Sequence, residues 1–351
     1  MKKSAYAQAG VDLVLGNRVK ETLPALLAST KRAEVLGKVG GFGGLFALNT
    51  RKFKQPVLVS SVDGVGTKLK VAFECNRHDT IGQDLVNHCV NDIAVLGAEP
   101  LFFLDYLGTG KLKANVFEEI VRGFAIGCRA NGCSLIGGET AQMPGFYQKG
   151  EYDVSGTIVG VVDKSRMLNG QKTIKRGDVI IGMASNGLHT NGYSLARRIF
   201  FDQLKLKPRT KLKELGCTVG EELLKVHVSY WPVVRSLIGR FNPPRNPGAL
   251  KALAHITGGG FIDNIPRVLP KNCDAVIHRG MWDMPSVFNL MQAAGKVDET
   301  EMYQVFNMGI GMIAVVSAGE AAAMLRGIRA RRIKAWQIGE IARGTGKTVL
   351  D

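Results

Sequence analysis

Apolar positions along the chain fall into two kinds of run, each repeated in both halves. Residues 57–63 (VLVSSVD) read as a buried strand. From 80 to 96, Ile81, Leu85, Cys89, Val90, Ile93 and Leu96 recur at the spacing of one helix face, and Pro100 lies beyond the stop. LFFLDYL (101–107) predicts a second strand. Residues 114–131 predict an amphipathic helix, with Asn115 as N-cap and Gly132 as its end. Strands follow at 133–138 (CSLIGG) and 153–163 (DVSGTIVGVVD). The polar stretch 166–178 reads as a linker. Beyond it come strands at 179–185, 274–279, 311–317 and 335–341, with helices near 192–204, 229–240, 259–268, 285–294 and 319–330. The fold class is α/β (mixed α+β), with a domain over 1–168 and a C-terminal α/β domain over 169–351.

With 351 residues, each half can bury its own core. No apolar run approaches the ~18 residues of a membrane span. The basic start MKKSAYAQAGVDLVLG has its apolar stretch interrupted by Gly10 and Asp12, so no secretory signal is expected. A cytoplasmic protein without a membrane partner is the expectation. Cys75, Cys89, Cys128, Cys133, Cys217 and Cys273 form no CxxC pair and no zinc spacing, which argues against a disulfide or zinc framework. Lys and Arg outnumber Asp and Glu by 46 to 30, a formal net charge of +16. Such a surface favours anionic partners. The basic residues are dispersed apart from RGIRARRIK (326–334), and no nucleic-acid-binding motif accompanies them.

Glycine changes the picture more. There are 43 in 351 residues, well above the ~7% typical of proteins, and they are bunched. SVDGVGTKLK (61–70) ends a strand in Asp63, passes two glycines, and presents Thr67 and Lys68. Such a turn suits phosphate oxygens, with a carboxylate for Mg²⁺, although a plain strand-to-helix turn has the same form. LGKVGGFGGLFAL (36–48) reads as a flap over a nucleotide or as a flexible linker. On helix 80–96, Asp92 lies among apolar neighbours and requires a cation, either a metal ion or a structural Arg. GGETAQMPG (137–145) places Glu139 in a loop after a strand. Asp63, Asp92 and Glu139 could together offer hard oxygen ligands to Mg²⁺. In SNGLHTNGYSL (185–195), His189, Thr190 and Asn191 precede a helix start, a favourable place for an anion. GTGKT (344–348) mimics the end of a phosphate-binding loop, but Ile341 stands where that loop needs glycine and the helix it requires cannot follow.

Together these segments resemble the phosphoribosylformylglycinamidine cyclo-ligase (aminoimidazole ribonucleotide synthetase) family. The matching pieces are AGVD (9–12), GGFGGLF (40–46), DGVGTK (63–68), HDTIG (78–82), VNDI (90–93), GAEPLFFLDY (97–106), GGETAQMPG (137–145), YDVSGT (152–157), NGYSL (191–195), TGGGF (257–261), NIPRVLP (264–270) and FNMGIGM (306–312). The resemblance implies a homodimer whose N-terminal-domain strands form a shared barrel, with the active site in a cleft between domains. The implied reaction is ATP- and Mg²⁺-dependent closure of formylglycinamidine ribonucleotide to aminoimidazole ribonucleotide, releasing ADP and phosphate. On this resemblance Asp63, Asp92 and Glu139 hold Mg²⁺. Gly40, Gly41, Gly43, Gly44, Asp63, Gly64, Gly66, Thr67 and Lys68 engage ATP. His189, Asn191 and Lys68 act on substrate or the transferring phosphoryl group.

The chain departs from the family's pattern at VHVSY (226–230). Tyr230 matches, but Val226 and His227 stand where a Pro-Thr pair is common, which puts a substrate contact there in doubt. Three rivals from the same superfamily remain: selenophosphate synthetase, thiamine-monophosphate kinase and a hydrogenase-maturation dehydratase. The first needs a reactive cysteine in the N-terminal segment, yet residues 1–74 contain none. The other two are not expected to combine GGETAQMPG with FNMGIGM. Readings from other classes are a basic nucleic-acid-binding protein, motivated by charge alone, and a catalytically dead scaffold. The acidic residues in the glycine loops oppose both.

Overall fold

Two sheets, each built from a continuous stretch of sequence, meet across a cleft. The computed structural model describes residues 5–11, 23–37, 41–243 and 248–351; Gly40 of the expected nucleotide flap and Asp12 of AGVD lie outside them. The first sheet comprises β1 (Pro56–Gly64), β2 (Glu99–Thr109), β3 (Ser134–Gln142) and β4 (Tyr152–Asp163), in the order β1-β4-β2-β3. β4 pairs antiparallel with both β1 and β2, and β3 runs parallel to β2.

Helices α1 (Lys68–Cys75), α2 (Ile81–Ala94) and α3 (Ala114–Asn131) follow the strands in sequence. α2 packs on one face of this sheet and against α3. Glycines at the contact permit that approach: a Cβ on Gly82 would lie 2.3 Å from the Ile120 carbonyl oxygen, and one on Gly127 would lie 2.8 Å from Val86 Cβ. The N-cap of α3 is Lys113, two residues before the expected Asn115, and the helix ends on Gly132 with φ 68°. On the opposite face no described residue covers Leu58 and Val62 of β1, 63% and 64% exposed, whereas Phe46 packs on Phe102 of β2 at 5.4 Å between ring centroids.

The second sheet contains β5 (Val179–Ala184), β8 (Leu250–His255), β9 (Cys273–Ile277), β10 (Ile310–Val316), β11 (Ala335–Arg343) and β12 (Thr348–Leu350), in the order β12-β9-β11-β5-β10-β8. A two-stranded hairpin, β6 (Lys211–Leu212) with β7 (Cys217–Thr218), lies apart from it. β10 is buried at every position, as expected of a strand covered on both faces. α4 (Trp231–Phe241) and α5 (Ala321–Arg329) pack on each other and touch this sheet. The segment that mimics a phosphate loop is a turn closed by Asp274, whose Oδ1 accepts the N–H groups of Thr345 and Lys347 at 2.7 and 2.8 Å. It then pairs as β12 alongside β9.

One further expectation fails in the first sheet. Glu139 is not in a loop: β3 runs on to Gln142, and Glu139 lies opposite Tyr106 of β2, exposed. Strand order puts β4 and β2 between it and Asp63, which is about 14 Å at the usual ~4.8 Å per strand. Within one chain Asp63, Asp92 and Glu139 therefore do not share one ion.

Candidate active site

The residues that face the cleft are set by three local regularities. On α2, His88 and Asp92 are four residues apart and so share a face. On β1, Ser61 and Asp63 alternate with the exposed Ser60 and Val62 and point the same way. Opposite them, β8 ends at His255, followed by the TGGGF turn, in which Gly259 and Gly260 have φ of 92° and 54°. A Cβ on Gly260 would sit 2.0 Å from the Tyr303 carbonyl oxygen, so the backbone there requires glycine. Between the two walls lies a cavity of about 530 Å³, lined among others by Ser61, Asp63, His88, Asp92, Asn191, His255, Gly258 and Arg267. A larger recess of about 710 Å³ between Lys52–Gln55 and Trp231–Gly239 has a basic rim but contains none of the acidic residues singled out above. Asp63 and Asp92 both line the smaller one.

Asp92 is the centre of the cleft. Its Oδ1 lies 2.8 Å from His255 Nδ1, and its Oδ2 accepts the Ser61 hydroxyl at 3.2 Å. His88 Nε2 is 3.5 Å from Asp63 Oδ2 and 3.8 Å from Asp92 Oδ2. Burial would raise the Asp92 carboxyl, but the His255 hydrogen bond and the charges of His255 and His88 outweigh it and hold it below its usual range. Asp63 moves the other way, to about 7, through burial and then its hydrogen bond with, and repulsion from, Asp92. Two carboxylates facing each other in this way call for a cation or a proton between them. The oxygens of Asp63 and Asp92 fit Mg²⁺, which is commonly held by one or two carboxylates together with substrate phosphates.

Behind the cleft the histidines continue. His88 Nδ1 is 2.8 Å from Thr190 Oγ1, which is 3.2 Å from His227 Nδ1; His227 Nε2 is in turn 3.0 Å from His255 Nε2. Burial is the first cause that holds the His88 imidazole down to about 4, and it holds His189 and His227 low as well.

The sequence-expected residues separate into those that reach the cleft and those that do not. Asp63, Asp92 and Asn191 line it. Lys68 does not. Its side chain is fully buried, and Nζ donates to Asp84 Oδ1 at 2.9 Å and to the carbonyls of His189 and Lys225 at 2.9 and 2.7 Å. With three donors so engaged, the ammonium ties α1 and α2 to two loops of the second domain instead of meeting a phosphate. His189 does not reach the cleft either: its ring stacks on His227 at 4.0 Å, one layer behind, and its backbone has φ 62°. Thr67 is exposed at the start of α1, with its hydroxyl 3.0 Å from that of Ser194. Gly64 begins the turn and Gly66 has φ 53° with open space around it. Gly41, Gly43 and Gly44 sit in an exposed segment with Phe42, which no described residue covers.

His88, His255 and Arg267 were missed by reading the sequence for glycine loops and carboxylates. A signal for the first existed: H-x-x-x-D on a helix puts both side chains on one face. His255 stands at the end of a strand immediately before a glycine cluster, a position that commonly faces ligands.

Comparison with known proteins supplies independent findings. The family described as AIR synthase related protein, N-terminal domain, matches residues 49–162, and its C-terminal counterpart matches 175–351. A phosphoribosylformylglycinamidine cyclo-ligase of Trichlorobacter lovleyi is 52% identical over 339 residues, covering 97% of this chain and 95% of the relative. One of Syntrophotalea carbinolica is 50% identical over 342 residues, with 97% and 95% covered. Among solved structures, a thiamine-monophosphate kinase from Stenotrophomonas maltophilia superposes with a TM-score of 0.71 at 18% identity, covering 93% of this chain and 94% of that one. The hydrogenase maturation protein HypE in complex with ATP gives 0.66 at 19% identity, with 95% and 90% covered. These two likenesses establish the shared fold alone.

Proposed function

The chain belongs to the phosphoribosylformylglycinamidine cyclo-ligase family, and from that premise we propose how its own residues carry out the ATP-dependent closure of the imidazole ring. The substrate is formylglycinamidine ribonucleotide and the products are aminoimidazole ribonucleotide, ADP and phosphate. The formamide oxygen is a poor leaving group until it accepts the γ-phosphoryl group of ATP. The ribosyl-bearing amidine nitrogen then attacks the formyl carbon and phosphate departs. Catalysis of this kind is largely positioning and charge neutralisation.

The observation that carries the assignment to the cleft is the facing pair Asp63 and Asp92, beside a backbone turn through Gly64 and Gly66. Asp63 and Asp92 hold Mg²⁺, which neutralises phosphate charge. Gly64, Gly66 and Thr67 offer backbone N–H groups to the ATP phosphates, and Gly40, Gly41, Gly43 and Gly44 close over the nucleotide. Asn191 and Arg267, both lining the cavity, orient the phosphorylated substrate. Lys68 and His189 hold the wall from behind and touch neither substrate. The chain acts as a homodimer in the cytoplasm, without nucleic acid or membrane partners. The uncovered apolar face of β1, with Leu58 and Val62, supports pairing with a second copy. Among the described residues no helix is long and apolar enough to cross a membrane.

The direct test is ADP release on mixing the protein with ATP and formylglycinamidine ribonucleotide, with and without Mg²⁺. Release that needs both substrate and Mg²⁺ supports the reading, and release indifferent to substrate removes it. Val62→Asp, followed by sedimentation, tests the dimer: it converts a dimer to monomer, and a native species that was monomeric from the start ends that part of the proposal.

A further inference from the structure

The polar groups behind the cleft can be assigned donors and acceptors from one fixed point. Asn91 cannot flip, because its Oδ1 accepts the Tyr230 N–H at 2.9 Å and its Nδ2 donates to the Val228 carbonyl at 2.9 Å. The second Nδ2 hydrogen therefore points to His227 Nε2 at 3.2 Å, which makes that nitrogen an acceptor. His255 Nε2, 3.0 Å away on the same lone pair, must be the donor of that contact. His255 Nδ1 faces Asp92 Oδ1 at 2.8 Å, and with the Nε2 hydrogen directed at His227 this contact needs a positive centre, either a second proton on the ring or a metal ion.

His227, an acceptor at Nε2, is protonated at Nδ1 and donates to Thr190 Oγ1. The Thr190 oxygen can accept a second hydrogen bond, from His88 Nδ1–H at 2.8 Å, or donate its own hydrogen to that nitrogen. In the first arrangement His88 Nε2 is a second free lone pair, and it faces Asp92 and Asp63, where a bound cation would favour that arrangement. Each ring has one nitrogen fixed by an outer hydrogen bond and the other aimed at the carboxylates. That is the arrangement in which metal-bound histidines are oriented.

The spacing brackets that of a bound ion. Ligands held at ~2.0–2.1 Å around a tetrahedral ion lie about 3.3 Å from one another. The separations here are 2.8 Å for His255 Nδ1 to Asp92 Oδ1, 3.5 Å for His88 Nε2 to Asp63 Oδ2 and 3.8 Å for His88 Nε2 to Asp92 Oδ2. One donor atom from each of His88, Asp92 and His255 can be enclosed within 4.8 Å of the others. The side chains of Asp63 and Asp92 are 37% and 26% exposed toward the cavity, so an ion can enter.

We propose that His88, Asp92 and His255, with Asp63 as fourth ligand, form a site for a divalent transition metal of the Zn²⁺ class, which the cleft prefers to Mg²⁺. Imidazole nitrogen suits Zn²⁺ and Co²⁺, whereas Mg²⁺ favours oxygen and keeps its waters. The two ions draw on the same carboxylates, so a bound Zn²⁺ excludes Mg²⁺ from Asp63 and Asp92 until phosphate oxygens supply its other ligands.

The experiment needs neither ATP nor nucleotide substrate, so its failure leaves the cyclo-ligase reading intact. Chelator-treated full-length protein is titrated with Co²⁺ and followed by visible absorption. One equivalent should give the intense bands of a four- or five-coordinate ion, bleached by Zn²⁺ one for one and unaffected by a large excess of Mg²⁺. His88→Ala and His255→Ala should each weaken Co²⁺ binding by at least the ~10–100-fold that loss of an outer-shell partner costs, and His227→Gln by the lower end of that range. Melting curves without metal identify any variant that fails to fold; His88 and His255 lie in different domains, so either one alone can carry the test. An unchanged Co²⁺ spectrum and affinity in both variants overturns the proposal. So does loss of the spectrum in His278→Ala, at the exposed His278–Asp351 contact.

Discussion

Both ends of α2 carry an acid turned toward the second domain, fully buried at one end and half-buried at the other, and the two ends have opposite characters. Asp84, His88 and Asp92 fall at successive i, i+4 positions and make one polar stripe. At the N-terminal end, Asp84 and Lys68 have no exposed side-chain surface. Asp84 Oδ1 takes the Lys68 ammonium at 2.9 Å and the His227 N–H at 2.7 Å, and Lys68 spends its other hydrogens on two loop carbonyls. That end is closed, and its work is holding two domains in register. At the C-terminal end Asp92 has histidines on two sides, a second carboxylate opposite, and an open cavity in front. Asp84 is sealed from solvent, with its Oδ2 left without a hydrogen-bond partner, whereas the Asp92 side chain is 26% exposed; access to the open cavity is what separates structure from chemistry.

The largest expected effect tests the closed end. Lys68→Met leaves Asp84 charged, buried and unpaired, and should cost about 3–5 kcal/mol of stability, the usual result of removing one member of a buried pair. Denaturant unfolding reads this directly. Turnover per folded molecule should change far less. Unchanged stability with lost ATP binding would return Lys68 to the phosphate role that its sequence motif suggests.

Asp92→Asn probes the open end and should invert that result. The shape is kept and the melting temperature should move little. The rate constant for ring closure should fall by roughly 10²–10³-fold, the range for losing one preorganised charge contact in the transition state. Near-normal turnover at saturating Mg²⁺ would mean that the open end is as structural as the closed one.

A smaller effect distinguishes the ends by pH. Burial raises the Asp84 carboxyl to about 6 from its ordinary 3.8, against the opposing pull of Lys68 and the His227 N–H. Between these values the folded protein binds more protons than the unfolded chain, so stability should fall as pH rises from about 4 to about 6. Each unit of pKa difference corresponds to about 1.4 kcal/mol, which bounds the slope per pH unit. Asp84→Asn should flatten this window in a series of unfolding curves. A slope that survives the substitution belongs to another group.

The same helix explains what could be read in advance. Ile81, Leu85, Cys89, Val90 and Ile93 gave away α2 because their periodicity reports the face packed on the first sheet. The opposite stripe of Asp84, Asn87, His88 and Asn91 is polar and looks solvated in sequence, yet it is buried. What buries it comes from Asn131 on α3 and, for the rest, from 189–190, 227–230 and 255, more than 90 residues along the chain. No local pattern carries that information. Lys68 was misplaced for the same reason: a lysine after a glycine turn matches a phosphate contact until its partner on α2 is located. His227 shows the reverse. It stood out as a departure from the family's pattern, and the structure makes it the centre of the histidine network.

The smallest expected effect concerns a residue that the sequence grouped with Asp63 and Asp92. Glu139 lies three strands from Asp63 in the order β1-β4-β2-β3, about 14 Å away at ~4.8 Å per strand. Two unit charges at that distance in water interact by about 0.3 kcal/mol, and a divalent ion by about twice that. Screening over a Debye length of ~8 Å at physiological salt reduces it several-fold. Glu139→Gln should therefore change Co²⁺ affinity in the cleft by less than about twofold, where Asp92→Asn abolishes it. Both variants can be run in the same titration as wild type at two protein concentrations. A large loss of affinity in Glu139→Gln that appears only at the higher concentration would mean that Glu139 of a second copy completes the site. A large loss at both concentrations would mean that β3 folds toward Asp63, which the observed pairing of Tyr106 with Glu139 opposes.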